Sequence, residues 1–295
     1  MRVTPQTLHQ TALQGLQTSI GRVQRSQAEL ASGKRINNYS DAPADASSTL
    51  RLRAEESDWT SYAKAADDGV AWLNTQDAAL QDASTLLRRA RELTLSGAQS
   101  TNSPIEREAI AAELDGIKTQ LATIANTSYQ GQKVFAGFAA NAVVNVAGNW
   151  TWAGDANAVQ RRVSPELLVQ VNGDGSSIFG FSGGTNVFAA LTTIADHVRT
   201  GNVGALGTTD IGLIDAADAN VMSGLAATGA RTNLIESAKT TGSTQIAVLK
   251  DARSSIEDVD VAAAALDMKL AESGYQAALA AAARLSLPSL LDFLR

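Results

Sequence analysis

The amino-acid sequence predicts a mainly α protein with an inserted β-rich domain, its two chain ends pairing as a long antiparallel coiled coil that continues into a helical rod. Three observations predict this. Apolar residues recur at steps of three and four near both ends. Two further helical patterns, one of them very long, lie between. At residue 138 the pattern changes to apolar and polar residues alternating among Asn, Gly and Trp.

The first element carries Leu13, Leu16, Ile20, Val23 and Leu30, with Gln27 at the missing step as a polar member able to fix register. A lone helix of about 20 residues is marginal in water, so this seam needs a partner. Ile246, Leu249, Ile256, Val259, Ala263, Leu266 and Leu270 supply one at the other end. The charges match as well. Arg22, Arg25, Lys34 and Arg35 face Glu257, Asp258, Asp260, Asp267 and Glu272.

The stretch SGKRINNYSDAPAD breaks the helical pattern. Gly33, Asn37 and Asn38 permit turn geometry, and Pro43 suits the first position of a new helix. Ser40 or Asp41 can cap that helix, and Asp45 complements its dipole. These four residues, Gly33, Asn37, Asn38 and Pro43, are the expected hinge between coiled coil and rod. The helix that follows, over 43–98, repeats Trp59, Ala66, Leu73, Leu80 and Leu87 at steps of seven and would reach about 80 Å. Ser103 and Pro104 start another, with Ile110, Leu114, Ile117, Leu121 and Ile124 on one face. Strands joined by tight turns are expected after Phe138, then a helix over 187–198, then Ile211, Ile214, Val221 and Leu225 returning to the rod. The expected domains are 1–45 with 255–295 (terminal coiled coil), 46–137 with 208–254 (helical rod) and 138–207 (β-rich outer domain).

Composition narrows the chemistry. A net charge of -6 over 295 residues lacks the basic excess that phosphate neutralisation demands, so no nucleic-acid partner is expected. Without cysteine there are no disulfides, thiolate metal sites or cysteine nucleophiles. His9 and His197 leave little for a metal. No run of about 18 apolar residues and no signal-like apolar segment occurs, so no membrane span is expected, and the protein either stays in the cytoplasm or leaves by another route. GDGSSIFGFSGG has no lysine after its glycines, and a turn between strands is the preferred reading over a phosphate loop. Asp41 and Asp45 read as helix-start residues rather than a catalytic pair. Lys34 and Arg35 read as an interhelical or solvated face, and Trp59, Trp72, Trp150 and Trp152 as packing residues. No nucleophile, base and oxyanion site assembles, so neither an enzyme nor a cofactor is expected.

LASGKRINNYSDAPADASSTLRLRA, RARELTLSGAQSTNSPIEREAIAAELDGIKTQLATIANTSYQGQKVF and SGYQAALAAAARLSLPSLLDFLR resemble the bacterial flagellin superfamily. The MRVT opening and SLLDFL ending are nearer to its hook-associated branch than to filament-forming flagellin. Residues 137–207 match only in position and strand-rich character, including WAGD at 152–155, and Asp41-Ala42-Pro43 departs from relatives that often carry a second acid before the proline. The resemblance implies a structural protein of the hook–filament junction, extracellular, passed through the flagellar type III channel without a cleaved signal. The implied partners are the preceding hook-associated protein, flagellin, copies of itself in a ring and an export chaperone. The expected assembly interface comprises Leu13, Leu16, Ile20, Val23, Leu30, Ile256, Val259, Leu266, Leu270, Leu279, Leu285, Leu290, Leu291 and Phe293, incompletely covered in a lone chain. A filament-forming flagellin and a cytoplasmic coiled-coil binding module are the alternatives.

Overall fold

Helices dominate the described residues, which in this computed structural model are 5–38, 40, 42–183 and 186–285. In chain order they are α1 (Pro5–Ser32), α2 (Pro43–Gly97), α3 (Pro104–Ala125), the short α4 (Gly175–Ile178), α5 (Val187–Thr200), the single turn α6 (Val203–Ala205), α7 (Ile211–Glu257) and α8 (Val261–Leu285). Between α3 and α4 lie β1 (Ser128–Tyr129), β2 (Gln132–Lys133), β3 (Val143–Val146), β4 (Asn149–Trp152), β5 (Gln160–Arg162) and β6 (Leu168–Gln170). The strands pair in sequence as three separate antiparallel ladders rather than one sheet. No helix among the described residues is long and apolar enough to cross a membrane.

Two compact units divide the chain: Met1–Asp58 with Gln245–Arg295, and Trp59–Thr244. The core of the second is the seven-residue pattern of α2 made physical. Ala66, Leu73, Leu80 and Leu87 are fully buried, together with Leu114, Ile117 and Leu121 of α3, Leu191 and Ile194 of α5, and Ile214 and Val221 of α7.

Local chemistry explains where the elements start. Ser103 accepts from the Glu106 N–H at 3.3 Å while the Glu106 carboxylate accepts from the Ser103 N–H at 2.7 Å, a reciprocal cap with Pro104 at the first helical position. Ser103→Ala should cost about 1 kcal/mol, read as a fall in thermal midpoint. The β3–β4 turn places Ala147 and Gly148 both at positive φ (52° and 89°), which matches the twist of the hairpin it closes. Trp150 and Trp152 fall on one face of β4 and stack at 5.9 and 5.7 Å on Phe188 and Phe181.

GDGSSIFGFSGG is not a turn between strands. Asp174 accepts from the Ser176 and Ser177 N–H groups and caps α4, and a 3₁₀ turn at Phe181–Gly183 follows. Local side-chain capping outweighs glycine content here. The cap still presents no phosphate cradle.

Asp155, within WAGD, organises a neighbouring turn. Its carboxylate accepts from the Asn157 N–H at 2.9 Å and, through both oxygens, from the Phe138 N–H at 3.2 Å. These donors, Asn157 foremost, hold it below its ordinary value of 3.8. A depressed carboxylate contributes stability above its unfolded value and loses it as pH falls through the folded one. The amide signals of Phe138 and Asn157 should therefore hold steady at neutral pH and move only below about pH 4.

Candidate functional site

The site of interest is the first unit, where the two ends of the chain meet. α1 and α8 pack against each other, and the chain directions are opposed. The residues after α1 pair antiparallel with those before α8, and one groove joins Glu29 with Asp267 at one end and Ser19 with Gly274 at the other. Leu16, Ile20, Val23 and Leu30 of α1 are half-buried in this pair, and Leu13 remains 58% exposed. Ser26, half-buried, takes the polar place expected of Gln27, which faces solvent. Ser26 and Leu30 lie four residues apart on one face, so the stripe keeps helical spacing through its polar position.

On α8 the face expected to meet α1 is the other one. Ala264 is buried, and Met268, Ala271, Tyr275, Ala278 and Ala282 are half-buried at steps of four and three. Small residues let the two backbones approach closely. Leu266 and Leu270, which the spacing had assigned to the pair, are instead 63% and 60% exposed, and Leu279 is 44% exposed. Both stripes have helical periodicity, so periodicity alone could not choose between them. α8 therefore carries an alanine-rich stripe against α1 and, on another face, Leu266 and Leu270 one turn apart with nothing over them among the described residues; Leu279 lies about half a turn round the helix from Leu270. Leu285 ends α8, and its side chain is outside the described residues. So are Leu290, Leu291 and Phe293.

The expected hinge is a tied joint. Gly33 sits at φ +69°, and its N–H donates to the Glu29 carbonyl at 2.9 Å, the left-handed cap that ends α1. Asn37 and Asn38 do not use their freedom to adopt positive φ. The Asn37 amide donates to the Lys34 carbonyl at 3.2 Å, and both side chains are exposed. Pro43 opens α2 as expected. Asp41 lies outside the described residues.

The break after α1 is bonded to the break between α7 and α8. The Arg35 N–H donates to the Glu257 carbonyl at 2.7 Å and the Val259 N–H donates to the Gly33 carbonyl at 3.1 Å, a single antiparallel backbone pairing of Lys34 with Asp258. The half-buried Ile256 offers its carbonyl to the Arg35 guanidinium at 2.8 Å. Arg35 also pairs with Asp45 at 2.8 Å, so Asp45 serves this joint in addition to the helix start.

Glu257 is the centre of the joint. Its side chain is 4% exposed and meets Lys34 at 3.2 Å, Arg253 at 3.3 Å and Arg53. Arg253 continues to Glu56 at 3.3 Å. A buried carboxylate is tolerated only where such partners replace its water. Sequence reasoning saw Glu257 and Lys34 as members of opposed charged faces and missed Arg53 and Arg253. The i, i+4 spacing of Arg253 and Glu257 was the available signal. Arg22 and Arg25 line the groove beside Asp267 without an ion pair among the described residues. The arrangement fixes two helix ends in register.

Gly33→Val would add a branched side chain at a positive φ that only glycine adopts freely. Space is open around it, so the cost is backbone strain, about 1–2 kcal/mol. The expected result is earlier melting of the first unit with the helicity of the second unchanged by circular dichroism.

Comparison with known proteins gives this joint its context. The family description "Bacterial flagellin N-terminal helical region" matches residues 3–140, and "Bacterial flagellin C-terminal helical region" matches residues 211–294. The chain belongs to the bacterial flagellin family. Within the family it is 24% identical over 283 residues to flagellar hook-associated protein 3 of Escherichia coli K12, covering 88% of this chain and 89% of that protein. The crystal structure of Xanthomonas campestris FlgL is similar with a TM-score of 0.61 at 18% identity, over 69% of this chain and 99% of that one. Flagellin A of Vibrio cholerae El Tor is 33% identical over 128 residues, but these are 43% of this chain and 34% of that flagellin.

Proposed function

We propose that this chain is a structural junction protein of the bacterial flagellum, connecting the hook, through the preceding hook-associated protein, to the flagellin filament. The observation that carries the reading is one of extent. Its likeness to hook-associated protein 3 runs through most of both chains, whereas its likeness to flagellin A stays within a third of that protein. Its relatives are structural flagellar proteins, and the residues at the chain ends are arranged for packing rather than catalysis.

The mechanism follows from the two faces of α8. Its alanine-rich face is spent on α1, which leaves Leu266, Leu270 and Leu279, with Leu13 of α1, for neighbouring subunits. An apolar stripe left in water is stabilised when a neighbour covers it, at about 25 cal/mol per Å² buried. The joint at Glu257 supports this by holding α1 and α8 in one register as they meet those neighbours. The same reading has the protein exported through the flagellar channel without a cleaved signal, escorted by a chaperone, and assembled as a ring of copies. It keeps the division into terminal coiled coil, helical rod and outer domain.

The test is a deletion strain examined by electron microscopy. Hooks that persist while filaments are shed into the medium support a junction role; attached filaments of normal length contradict it. A filament-forming flagellin is the second reading, favoured by the shared terminal regions. Purified protein that grows long filaments from seeds without flagellin would establish it instead.

A further inference from the structure

Away from the chain ends, a cleft of about 200 Å³ opens between α4 and α7, with Asp174, Ser177, Asn220, Ser223 and Arg231 among its lining residues. Arg231 brings a charge to it that nothing answers. The side chain is half-buried, and burial lowers its pKa. Nη1 donates to the Asn172 carbonyl at 2.9 Å. Nε and Nη2 have no partner among the described residues, and neither of them is shut away from solvent. Their N–H bonds therefore remain open to a ligand.

The other charge lining the cleft is already engaged. Asp174 Oδ1 accepts from the Ser176 and Ser177 N–H groups at 3.1 and 3.4 Å, and Oδ2 accepts from the Ser177 hydroxyl at 2.6 Å. It makes no ion pair with Arg231. Asn220 and Ser223 are exposed and have no side-chain partner among the described residues, so they add neutral donors to the α7 wall. Helical side chains lean toward the helix N-terminus, and both residues lie on that side of Arg231. A cation would be repelled here. A neutral group would leave the guanidinium half-desolvated and without a counter-charge. The side-on edge of a guanidinium presents two parallel N–H bonds that match the two oxygens of a carboxylate. The cleft is also far larger than the roughly 10–15 Å³ of this kind of volume that one water needs.

We propose that this cleft binds a carboxylate, held side-on by the Nε–H and Nη2–H of Arg231. The source is either a free small carboxylate or an Asp or Glu side chain on another copy of the chain.

The test uses the full-length ¹⁵N-labelled protein titrated with sodium acetate at constant ionic strength, followed through the Arg231 Nε–H signal and the backbone amides of Ser223 and Ala227. Saturable movement is expected, with none on adding acetamide, which has the same shape and no charge. Arg231→Lys keeps the charge and a donor for the Asn172 carbonyl but removes the fork, and should weaken acetate binding about tenfold, read through Ser223 and Ala227. Arg231→Met should abolish it. Shifts that never saturate, that acetamide reproduces, or that keep wild-type affinity in either variant would overturn the proposal and leave the cleft to water. Raising protein concentration without acetate separates the sources. Movement of the same signals assigns the carboxylate to a second copy, and constancy alongside saturable acetate binding assigns it to a free ligand.

Discussion

Leu266→Asp combined with Leu270→Asp is expected to leave the lone chain folded and to abolish its incorporation into flagella. Both leucines are more than half exposed, so the folded monomer loses almost no buried apolar area, and its stability should change by no more than about 0.5 kcal/mol per site. In an assembled junction the same positions would bury two unpaired carboxylates, each costing several kcal/mol. The discrepancy between the two readouts is the signature. Thermal melts of the purified variant should match wild type, while a deletion strain carrying it should swim no better than the deletion itself. Normal motility would mean that Leu266 and Leu270 face solvent in the flagellum too.

Glu257→Ala should have the largest effect on the fold of the first unit. It removes the shared partner of Lys34, Arg53 and Arg253. The three cations are themselves partly exposed and can return to water, so the cost is that of lost charge-assisted bonds and loosened backbone pairing, about 2–3 kcal/mol, rather than that of stranded buried charge. The backbone bonds Arg35 N–H to Glu257 and Val259 N–H to Gly33 should then exchange with solvent faster by one to two orders of magnitude, following the same free energy. All four tryptophans lie in the Trp59–Thr244 unit. Far-UV circular dichroism should therefore report early melting while tryptophan fluorescence holds its wild-type midpoint. Coincident early transitions would show that Glu257 supports more than the joint.

Much of the architecture is legible in the sequence because a helix that buries one face must repeat it. Leu73, Leu80 and Leu87 are buried as their spacing requires, and Ser103, Pro104 and Glu106 start α3 where their chemistry places them. The pairing of the two ends is legible for the same reason. The face used is not. α8 has apolar residues on more than one face, and the face turned to α1 carries Ala264, Met268, Ala271, Tyr275, Ala278 and Ala282, which leaves Leu266 and Leu270 outside. The joint is half legible. Gly33 and Pro43 announce a break, whereas the pairing of that break with Glu257–Val259 depends on residues more than 200 positions apart, which no local pattern encodes. Asn37 and Asn38 do lie where the chain bends, but without the positive φ that they tolerate, which Gly33 takes instead.

Neighbouring subunits are expected to cover Leu266 and Leu270 of α8 in the flagellum. Because the chain has no cysteine, Leu270→Cys creates a single reactive thiol at a 60% exposed position. Maleimide labelling should be fast in the purified monomer and slowed at least about tenfold in intact flagella. Equal labelling rates in the two states would contradict it.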